Sequence, residues 1–501
     1  MAQSVFSLNS PTSGQVWLYS LLGGLYTVGV GYLISKMGPV GGVMALIAPI
    51  ALLTVVMVFK EPKFGLFLYL QLSFLIGWSR FINVSIPIGL LIDGVLALTL
   101  LSLFINGQRM DWHRLRSPTF ALISIWFTYT LIESLNPEAP YRPAWFFHVR
   151  PFSMHWFMAG LAVLVLPITI RDIKILVYSW LGWSFLAAFW GFKQQYLGLE
   201  PAEQNWLSQG NNALTHVLFG QLRSFSFYSD AAQFGGEMAG ATLVAVIYSF
   251  EEKKLIPKLI CLALALTYFW GYAVSGTRSA LFVMLAGFPF YLLLKRDFPK
   301  LIIGATLAVP LVLLLLYTSV GSSNYQVQRM RSALTPMNDP SFILRLQNQE
   351  KLKRYLAEYP FGAGIGTSTD MGARFSPWHW AAQTPPDSWY VELWIETGRV
   401  GLTIYLMMVV GLVLIGVYQV WQLKDPWLVK VMYAFLAEFV GIAVMGYSNP
   451  VMGQFPTDTM IFMTTILFTT CYRWDTPASE SSPNPDSTLY SNPTPDTYET
   501  V

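Results

Sequence analysis

Charged side chains are scarce in this chain of 501 residues. Asp, Glu, Lys and Arg together make up 12% of it, against about 25% in a typical soluble protein. Hydrophobic residues make up 54%, and the mean hydropathy of +0.47 is positive over the whole length. A single apolar core inside a charged surface cannot accommodate that composition. The sequence therefore excludes an ordinary soluble enzyme and predicts an integral membrane protein.

Cysteine and net charge are equally limited. Cys261 and Cys471, the two cysteines, lie far apart inside apolar runs, which argues against a disulfide framework and against a cysteine metal site. A net charge of +3 is too small to indicate a nucleic-acid partner. The first 15 residues contain no basic segment ahead of an apolar run, so we expect no cleavable signal peptide.

Long apolar runs are what the chain has in abundance. A bilayer core about 30 Å thick is crossed by a helix of about 20 mostly apolar residues. The sequence therefore predicts an all-α, polytopic membrane protein of about 12–14 transmembrane helices with a long structured outer loop. The candidate spans are residues 16–35, 39–59, 64–79, 86–105, 118–135, 152–170, 174–194, 235–250, 257–275, 279–294, 301–319, 399–421, 427–447 and 456–472.

Lysine and arginine are distributed differently between the two faces of this predicted bundle. One set of alternate connections is short and holds 10 Lys and 6 Arg, whereas the opposite set holds 4 Lys and 11 Arg. By the positive-inside rule the lysine-rich face is cytoplasmic, which places both termini inside. The outer arginines are suited to binding phosphate, because a guanidinium can donate two parallel hydrogen bonds.

These spans and loops divide the chain into five predicted regions. Residues 1–195 form the N-terminal transmembrane helices, and residues 196–319 form the central helices with an outer arginine-containing loop. Residues 320–398 form the long outer loop, residues 399–473 the C-terminal transmembrane helices, and residues 474–501 a disordered cytoplasmic tail rich in Pro, Ser and Thr.

The long outer loop has the composition of a folded lid. Residues 376–394 contain four tryptophans, too many for a solvated linker but typical of a membrane interface. Residues 342–359 alternate Leu and Ile with Lys and Arg in the pattern of an amphipathic helix. The glycines at 362, 364 and 366 lack the context of a phosphate loop and are better explained as a turn.

Four polar clusters lie at or near the outer ends of the predicted spans. Ionisable groups in such places are costly and are therefore functional candidates. The clusters are Arg223 to Glu237 with Asp230 inside it, the turn Ser275-Gly-Thr-Arg278-Ser279, the segment from Arg345 to Gly366, and the segment from Pro385 through Asp387 to Gly398.

The order and spacing of these clusters resemble the O-antigen ligase and O-antigen polymerase superfamily. The matching stretches are Ser275–Ala280, Arg345–Gly366 and Asp387–Leu402 with its Glu396-Thr-Gly398 element. The resemblance covers roughly residues 200–420. It implies a metal-independent glycosyltransferase of polysaccharide biosynthesis in the bacterial cell envelope, in the inner (cytoplasmic) membrane with the long loop in the periplasm.

The resemblance also implies roles for individual residues. Such an enzyme takes a glycan from a polyprenyl pyrophosphate carrier and needs no cofactor. Carried over by position, Arg223 and Arg278 bind the pyrophosphate, Arg345 is a third candidate ligand, and Asp230 belongs to the same substrate-binding set. The expected partners are the lipid-linked donor, a lipid or protein acceptor and membrane lipids, without nucleic acid.

The chain departs from the superfamily at the expected base. The family usually has His-Asn before the last helix of the loop, and this chain has Asp387-Ser388. A carboxylate can act as a general base, although its ordinary pKa of about 3.9 makes it weaker than an imidazole. Asp387 is therefore the first candidate for the base, and His379 is the second. His148 and His155 make a poor metal pair without a third ligand.

Other functions remain open at the level of the sequence. An O-antigen or polysaccharide polymerase and a protein O-glycosyltransferase would share the donor and the layout. A polysaccharide-lipid transporter or flippase could also use outer arginines, but such proteins typically carry repeat symmetry and charges near the middle of the membrane. The gathering of charge at one face favours chemistry there.

Overall fold

The computed structural model describes residues 13–81, 88–210, 212–218, 220–321, 323–335, 337 and 340–475. The predicted tail therefore lies almost entirely outside the described residues. The α-helices, numbered along the chain, are α1 (Ser13–Met37), α2 (Pro39–Lys60), α3 (Pro62–Leu75), α4 (Ile88–Ile105), α5 (Pro118–Ile132), α6 (Ala144–Val149), α7 (His155–Val165), α8 (Ile170–Tyr196), α9 (Pro201–Leu207), α10 (Asn212–His216), α11 (Ala231–Glu251), α12 (Leu255–Ser275), α13 (Leu281–Leu294), α14 (Phe298–Tyr317), α15 (Tyr325–Leu334), α16 (Pro340–Leu356), α17 (Thr369–Phe375), α18 (Trp389–Val420), α19 (Pro426–Met445) and α20 (Thr457–Thr469).

Other regular structure is short. The described residues contain one antiparallel strand pair, β1 (Val217–Leu218) with β2 (Gln221–Leu222). Short 3₁₀ helices cover Ile76–Phe81, Gly107–Arg109, Trp112–Arg116, Glu133–Leu135, Val451–Gly453 and Cys471–Trp474, and a π-helical turn covers Arg150–Met154.

The prediction of an all-α polytopic membrane protein is confirmed. Within the described residues, five helices are long and apolar enough to cross a membrane: Gly41–Lys60, Ile170–Tyr196, Leu255–Ser275, Trp389–Val420 and Pro426–Met445. Helices also occupy the other predicted spans, but many are shorter than the runs that predicted them. The total of 12–14 crossings stays a prediction.

Helix ends follow from local sequence. Ser117 and Asp425 accept hydrogen bonds from backbone N–H groups in the first turns of α5 and α19, and proline follows each of them directly. Both features favour a helix start, because a polar cap satisfies an exposed N–H and proline has none to satisfy. These caps determine where the two apolar helices begin.

The core of the bundle lies around α11, α19 and α20. Helix α11 packs against α12, α13 and α19, while α20 packs against α7, α18 and α19. Every residue of α20 from Thr457 to Thr469 is buried. In contrast, α1 and α2 expose most of their large apolar side chains, as expected for helices in contact with lipid.

The long loop is folded around a small core of its own. Leu352 and Leu356 of α16 are buried against Val391 and Ile395 of α18, while Arg354 of α16 is 81% exposed. The amphipathic helix predicted for residues 342–359 is therefore present as α16. Trp380 stacks on Tyr355 and on Tyr359, which explains the aromatic content of the loop.

Helix α18 begins ten residues before the predicted span at 399–421. Ser388 caps it, and the helix continues through Glu392 and Glu396 to a break at Gly398, where φ is 66°. The polar residues of this stretch suggested a loop. They form helix instead because the loop core and neighbouring segments bury them.

Candidate functional site

A cavity of about 1170 Å³ lies at the end of the bundle where α11, α13 and α18 begin and where α12 and α19 end. Its walls come from the loops that are predicted to face outward and from those helices. The cavity contacts five of the six residues that sequence analysis selected: Arg223, Asp230, Arg278, Arg345 and Asp387. The structure thus brings together side chains that are spread over 165 positions of the sequence, from 223 to 387.

Arg223 follows β2 directly and is held on both sides of its guanidinium. Its Nε donates to the carbonyl oxygen of Ser275 at 3.2 Å, and its Nη1 donates to that of Thr215 at 2.8 Å. Nη2 donates to Thr277 Oγ1 at 3.0 Å. Because these three hydrogen bonds restrict the rotamers of the side chain, the planar guanidinium of Arg223 is oriented before any ligand binds.

Arg278 lies in the turn between α12 and α13. Gly276 ends α12 with φ 58°, the left-handed conformation that glycine adopts without steric cost. Thr277 Oγ1 ties the turn to the start of α11 by donating to the carbonyl oxygen of Ala231 at 2.7 Å. Arg278 Nη1 donates to Ser332 Oγ at 3.3 Å, which links the turn to the long loop.

Asp230 has a structural role on the cavity wall. Its Oδ1 accepts hydrogen bonds from the backbone N–H groups of Ala232 at 2.6 Å and Gln233 at 2.9 Å, so it caps α11. Gln454 Nε2 donates to Oδ2 at 3.2 Å. The predicted substrate-binding role stays a prediction, and a ligand would meet a carboxylate that is already hydrogen-bonded.

Asp387 and Arg345 form a loose ion pair at the rim of the cavity. Arg345 Nε lies 3.9 Å from Asp387 Oδ2, and the two side chains are 30% and 42% exposed. Asp387 has φ 50°, a conformation that Asp and Asn tolerate better than other non-glycine residues. The next residue but one, Trp389, donates its backbone N–H to the carbonyl oxygen of Gly446 at 2.9 Å, which anchors the segment to the end of α19.

His379, the second candidate base, lies elsewhere in the loop. Its ring packs beside Trp380 at a centroid distance of 5.2 Å, and its Nδ1 accepts the backbone N–H of Ala381 at 3.3 Å. Burial lowers the pKa of His379 from its ordinary value. Among the described residues that line the cavity His379 does not appear, so the geometry favours Asp387 of the two.

His216 is a cavity residue that sequence analysis missed. Its Nδ1 lies 2.9 Å from the carbonyl oxygen of Asn212, to which it donates, and its Nε2 accepts the backbone N–H of Ala231 at 3.2 Å. Burial lowers the pKa of His216, and the positive charge of Arg223 lowers it further. A lone histidine forms no spacing pattern that would mark it as a site residue. Its position in the same loop as Arg223 was the one sequence feature that pointed to it.

The inner part of the cavity is apolar. Its walls there come from α13, α18 and α19, with Phe282, Phe290, Val409, Val413 and Val440 among them. Other wall residues are also exposed at the side of the bundle: Leu406 at 41%, Val410 at 56%, Leu414 at 63% and Val444 at 44%. The cavity therefore joins an arginine-rich rim to an apolar flank.

Comparison with known proteins identifies one family. Residues 262–406 match the family model described as O-Antigen ligase. The matched segment contains Arg278, Arg345 and Asp387, while Arg223 and Asp230 precede it. A search of curated proteins found no match. The match to residues 262–406 supports placing this membrane protein in the O-antigen ligase superfamily.

Proposed function

We propose that this protein transfers a glycan from a polyprenyl pyrophosphate carrier to an acceptor hydroxyl at the outer face of the bacterial cytoplasmic membrane. The observation that carries the proposal is the cavity itself, where Arg223, Arg278 and Arg345 meet an apolar flank. A lipid-linked pyrophosphate has the same two parts, an anionic group and a long apolar chain. The match to the O-antigen ligase family supports a glycan-transferring activity.

Donor binding follows from this division of the cavity. Guanidinium groups bind phosphate oxygens through paired, charge-assisted hydrogen bonds. Arg223 donates a hydrogen bond to Thr277 of the α12–α13 turn, and Arg278 is the next residue of the same turn. The isoprenoid chain would lie along Val409, Val413 and Val440 and reach the lipid through the exposed side of α18.

The chemistry assigned to the site is a displacement at the anomeric carbon. Asp387 accepts the proton of the acceptor hydroxyl, whose oxygen forms the new glycosidic bond as the bond from the anomeric carbon to the pyrophosphate oxygen breaks. The polyprenyl pyrophosphate leaves with one additional negative charge. Fixed arginines stabilise that charge where it develops. No nucleotide takes part.

Reconstitution in proteoliposomes tests the proposal. The purified protein is mixed with a defined polyprenyl pyrophosphate-linked oligosaccharide and, in separate reactions, with a lipid-linked glycan, a second copy of the donor glycan or a serine-rich peptide as acceptor. Arg223→Gln and Arg278→Gln should each lower transfer by about 10²–10³, the range found when one charge-stabilising donor is removed. Arg354→Gln is the matched control, because Arg354 belongs to the same outer loops and is 81% exposed.

The results divide the alternatives. Unchanged transfer activity in both Arg223→Gln and Arg278→Gln would contradict the assignment of these arginines to the donor site. The acceptor that is used distinguishes a ligase from a polymerase or a protein glycosyltransferase. Movement of the lipid-linked glycan between leaflets, without any new glycosidic bond, would instead support a transporter.

A further inference from the structure

A second cluster of ionisable side chains lies outside the cavity. His148 of α6 meets Glu392 and Glu396 of α18, with its Nε2 3.0 Å from Glu392 Oε1 and 3.5 Å from Glu396 Oε2. The two glutamates are four residues apart, so their carboxylates project from the same face of the helix. One ligand atom from each of the three side chains lies within 4.8 Å of the others.

Burial and charge make this cluster unusual. The side chains of His148, Glu392 and Glu396 are 14%, 5% and 0% exposed. Among the described basic side chains, His148 alone lies within 4.0 Å of either carboxylate. When both buried carboxylates are ionised, the cluster has a net charge of −1 with a protonated imidazole and −2 with a neutral one. Such a charge is costly away from water unless a cation balances it.

The surroundings of Glu396 hold its carboxylate in a fixed orientation. Oε2 accepts the backbone N–H of Gly366 at 3.0 Å, and Oε1 accepts the N–H and the hydroxyl of Ser368 at 3.0 and 2.7 Å. Carboxylates that ligate metals are held by hydrogen bonds of this kind. Oε2 has one such bond and faces His148, so a lone pair remains on that side.

We propose that His148 Nε2, Glu392 and Glu396 bind one divalent transition-metal ion, and that this ion is zinc. A neutral imidazole, two carboxylates and a divalent cation sum to zero charge. One nitrogen and two oxygen ligands suit zinc, whose bonds of about 2.0–2.2 Å to such atoms are compatible with the separations of 3.0 and 3.5 Å between Nε2 and the two oxygens.

The ion would have a structural role. It would join α6 to the first turns of α18, and Glu396 would connect it to the turn that contains Gly366 through the existing hydrogen bond. Among the described residues that line the cavity none of its ligands appears, so the site is separate from the proposed chemistry. The proposal does not depend on the proposed function, and its test needs no glycan substrate.

Metal content and affinity test the site directly. The full-length protein, purified without a histidine tag, is stripped with EDTA, loaded with ZnCl₂ and dialysed, and bound zinc is measured by mass spectrometry. We expect about one zinc ion per chain in the wild type and loss of that ion in His148→Gln and Glu392→Gln. His113→Gln is the matched control, since His113 is an exposed histidine remote from the cluster in sequence. Ser368→Ala, which removes a bond to Glu396, should weaken zinc binding about 10-fold to 100-fold.

Thermal unfolding separates binding from misfolding. Zinc should raise the melting temperature of the wild type and of His113→Gln but leave His148→Gln unchanged, with each variant first shown to elute as a single species. Absence of zinc from the loaded wild type would overturn the proposal and leave an imidazolium as the charge partner of the glutamates. Equal zinc binding by the wild type, His148→Gln and Glu392→Gln would overturn it as well.

Discussion

Asp387 combines an exposed carboxylate with an unusual backbone conformation. Its φ of 50° would strain most side chains, but Asp and Asn adopt it at low cost. Asp387→Asn therefore removes the charge while it keeps the backbone conformation, whereas an alanine would change both. This property makes the asparagine variant the cleaner test of a general base.

We expect Asp387→Asn to lower kcat for glycan transfer by about 10²–10⁴, the usual contribution of a general base, with a small change in the KM for the donor. Steady-state assays in proteoliposomes measure both constants. His379→Gln, in the same loop, should retain nearly full activity. An asparagine variant within a few-fold of the wild type would show that another group takes the proton.

His216 should make the stability of the folded protein fall as the pH is lowered. Burial lowers its pKa in the folded protein, so the unfolded chain binds the proton more readily. The stabilising contribution of the neutral imidazole is therefore complete above about pH 6.5, its ordinary pKa, and is lost as the pH falls below that value. Protonation would also oppose the hydrogen bond from Ala231 that His216 accepts.

Melting temperatures of the wild type and of His216→Gln, measured from pH 7.5 to pH 5.5, check this prediction. Glutamine can still accept a hydrogen bond but does not titrate. The wild type should lose more stability than the variant over this range. Parallel curves for the two proteins would remove His216 as the source.

At the scale of secondary structure, the break in α18 depends on two glycines that nearly touch. A Cβ at Gly398 would lie 2.1 Å from the carbonyl oxygen of Pro360 and 2.4 Å from the N of Gly362. Gly398 also has φ 66°, which disfavours other residues. This contact seats the turn at 360–366 against the break in α18.

Gly398→Ala should therefore destabilise the protein by about 1–3 kcal/mol, the range for a residue forced into a disfavoured backbone conformation, with the clash adding to it. Fluorescence-detected thermal unfolding in detergent measures the change. Gly182→Ala in α8 is the control, because nothing lies within 4 Å of a Cβ there. Equal melting temperatures for the two variants would contradict the importance of the close contact.

The same helix shows where sequence analysis reaches its limit. Apolar runs predicted the spans because burial in lipid requires them, and the arginine clusters together with the family resemblance selected five residues that meet in one cavity. The sequence predicts a loop over residues 320–398, whereas its last residues, Trp389 to Gly398, belong to α18 and carry Glu392 and Glu396. Their partners, His148 and Ser368, come from distant positions in the sequence. A contact over such a distance leaves no local sequence pattern from which it could be predicted.

At the scale of the whole molecule, the cavity and the long loops lie at one end of the bundle. The connection between α11 and α12 lies at the opposite end, since one helix separates it from the turn that bears Arg278. This connection carries Lys253 and Lys254, two of the lysines on which the prediction of cytoplasmic termini rests.

Thiol labelling of intact bacterial cells tests that orientation. In a background where Cys261 and Cys471 are replaced by alanine, Asn205→Cys should react with a membrane-impermeant maleimide from outside. Lys253→Cys should react after permeabilisation of the inner membrane. Both positions are exposed, so accessibility within the protein does not limit either reaction. The reverse pattern would invert the predicted topology and place the cavity inside the cell.

The exposed apolar flank at Val410 and Leu414 would admit a lipid-linked donor directly from the bilayer. A donor that arrives by this route diffuses in two dimensions within the leaflet and never passes through water. Its effective concentration is then its mole fraction among the lipids. Turnover would fall when inert phospholipid dilutes the leaflet, even at a constant amount of donor per volume, and the abundance of carrier in the membrane would set the pace of the enzyme.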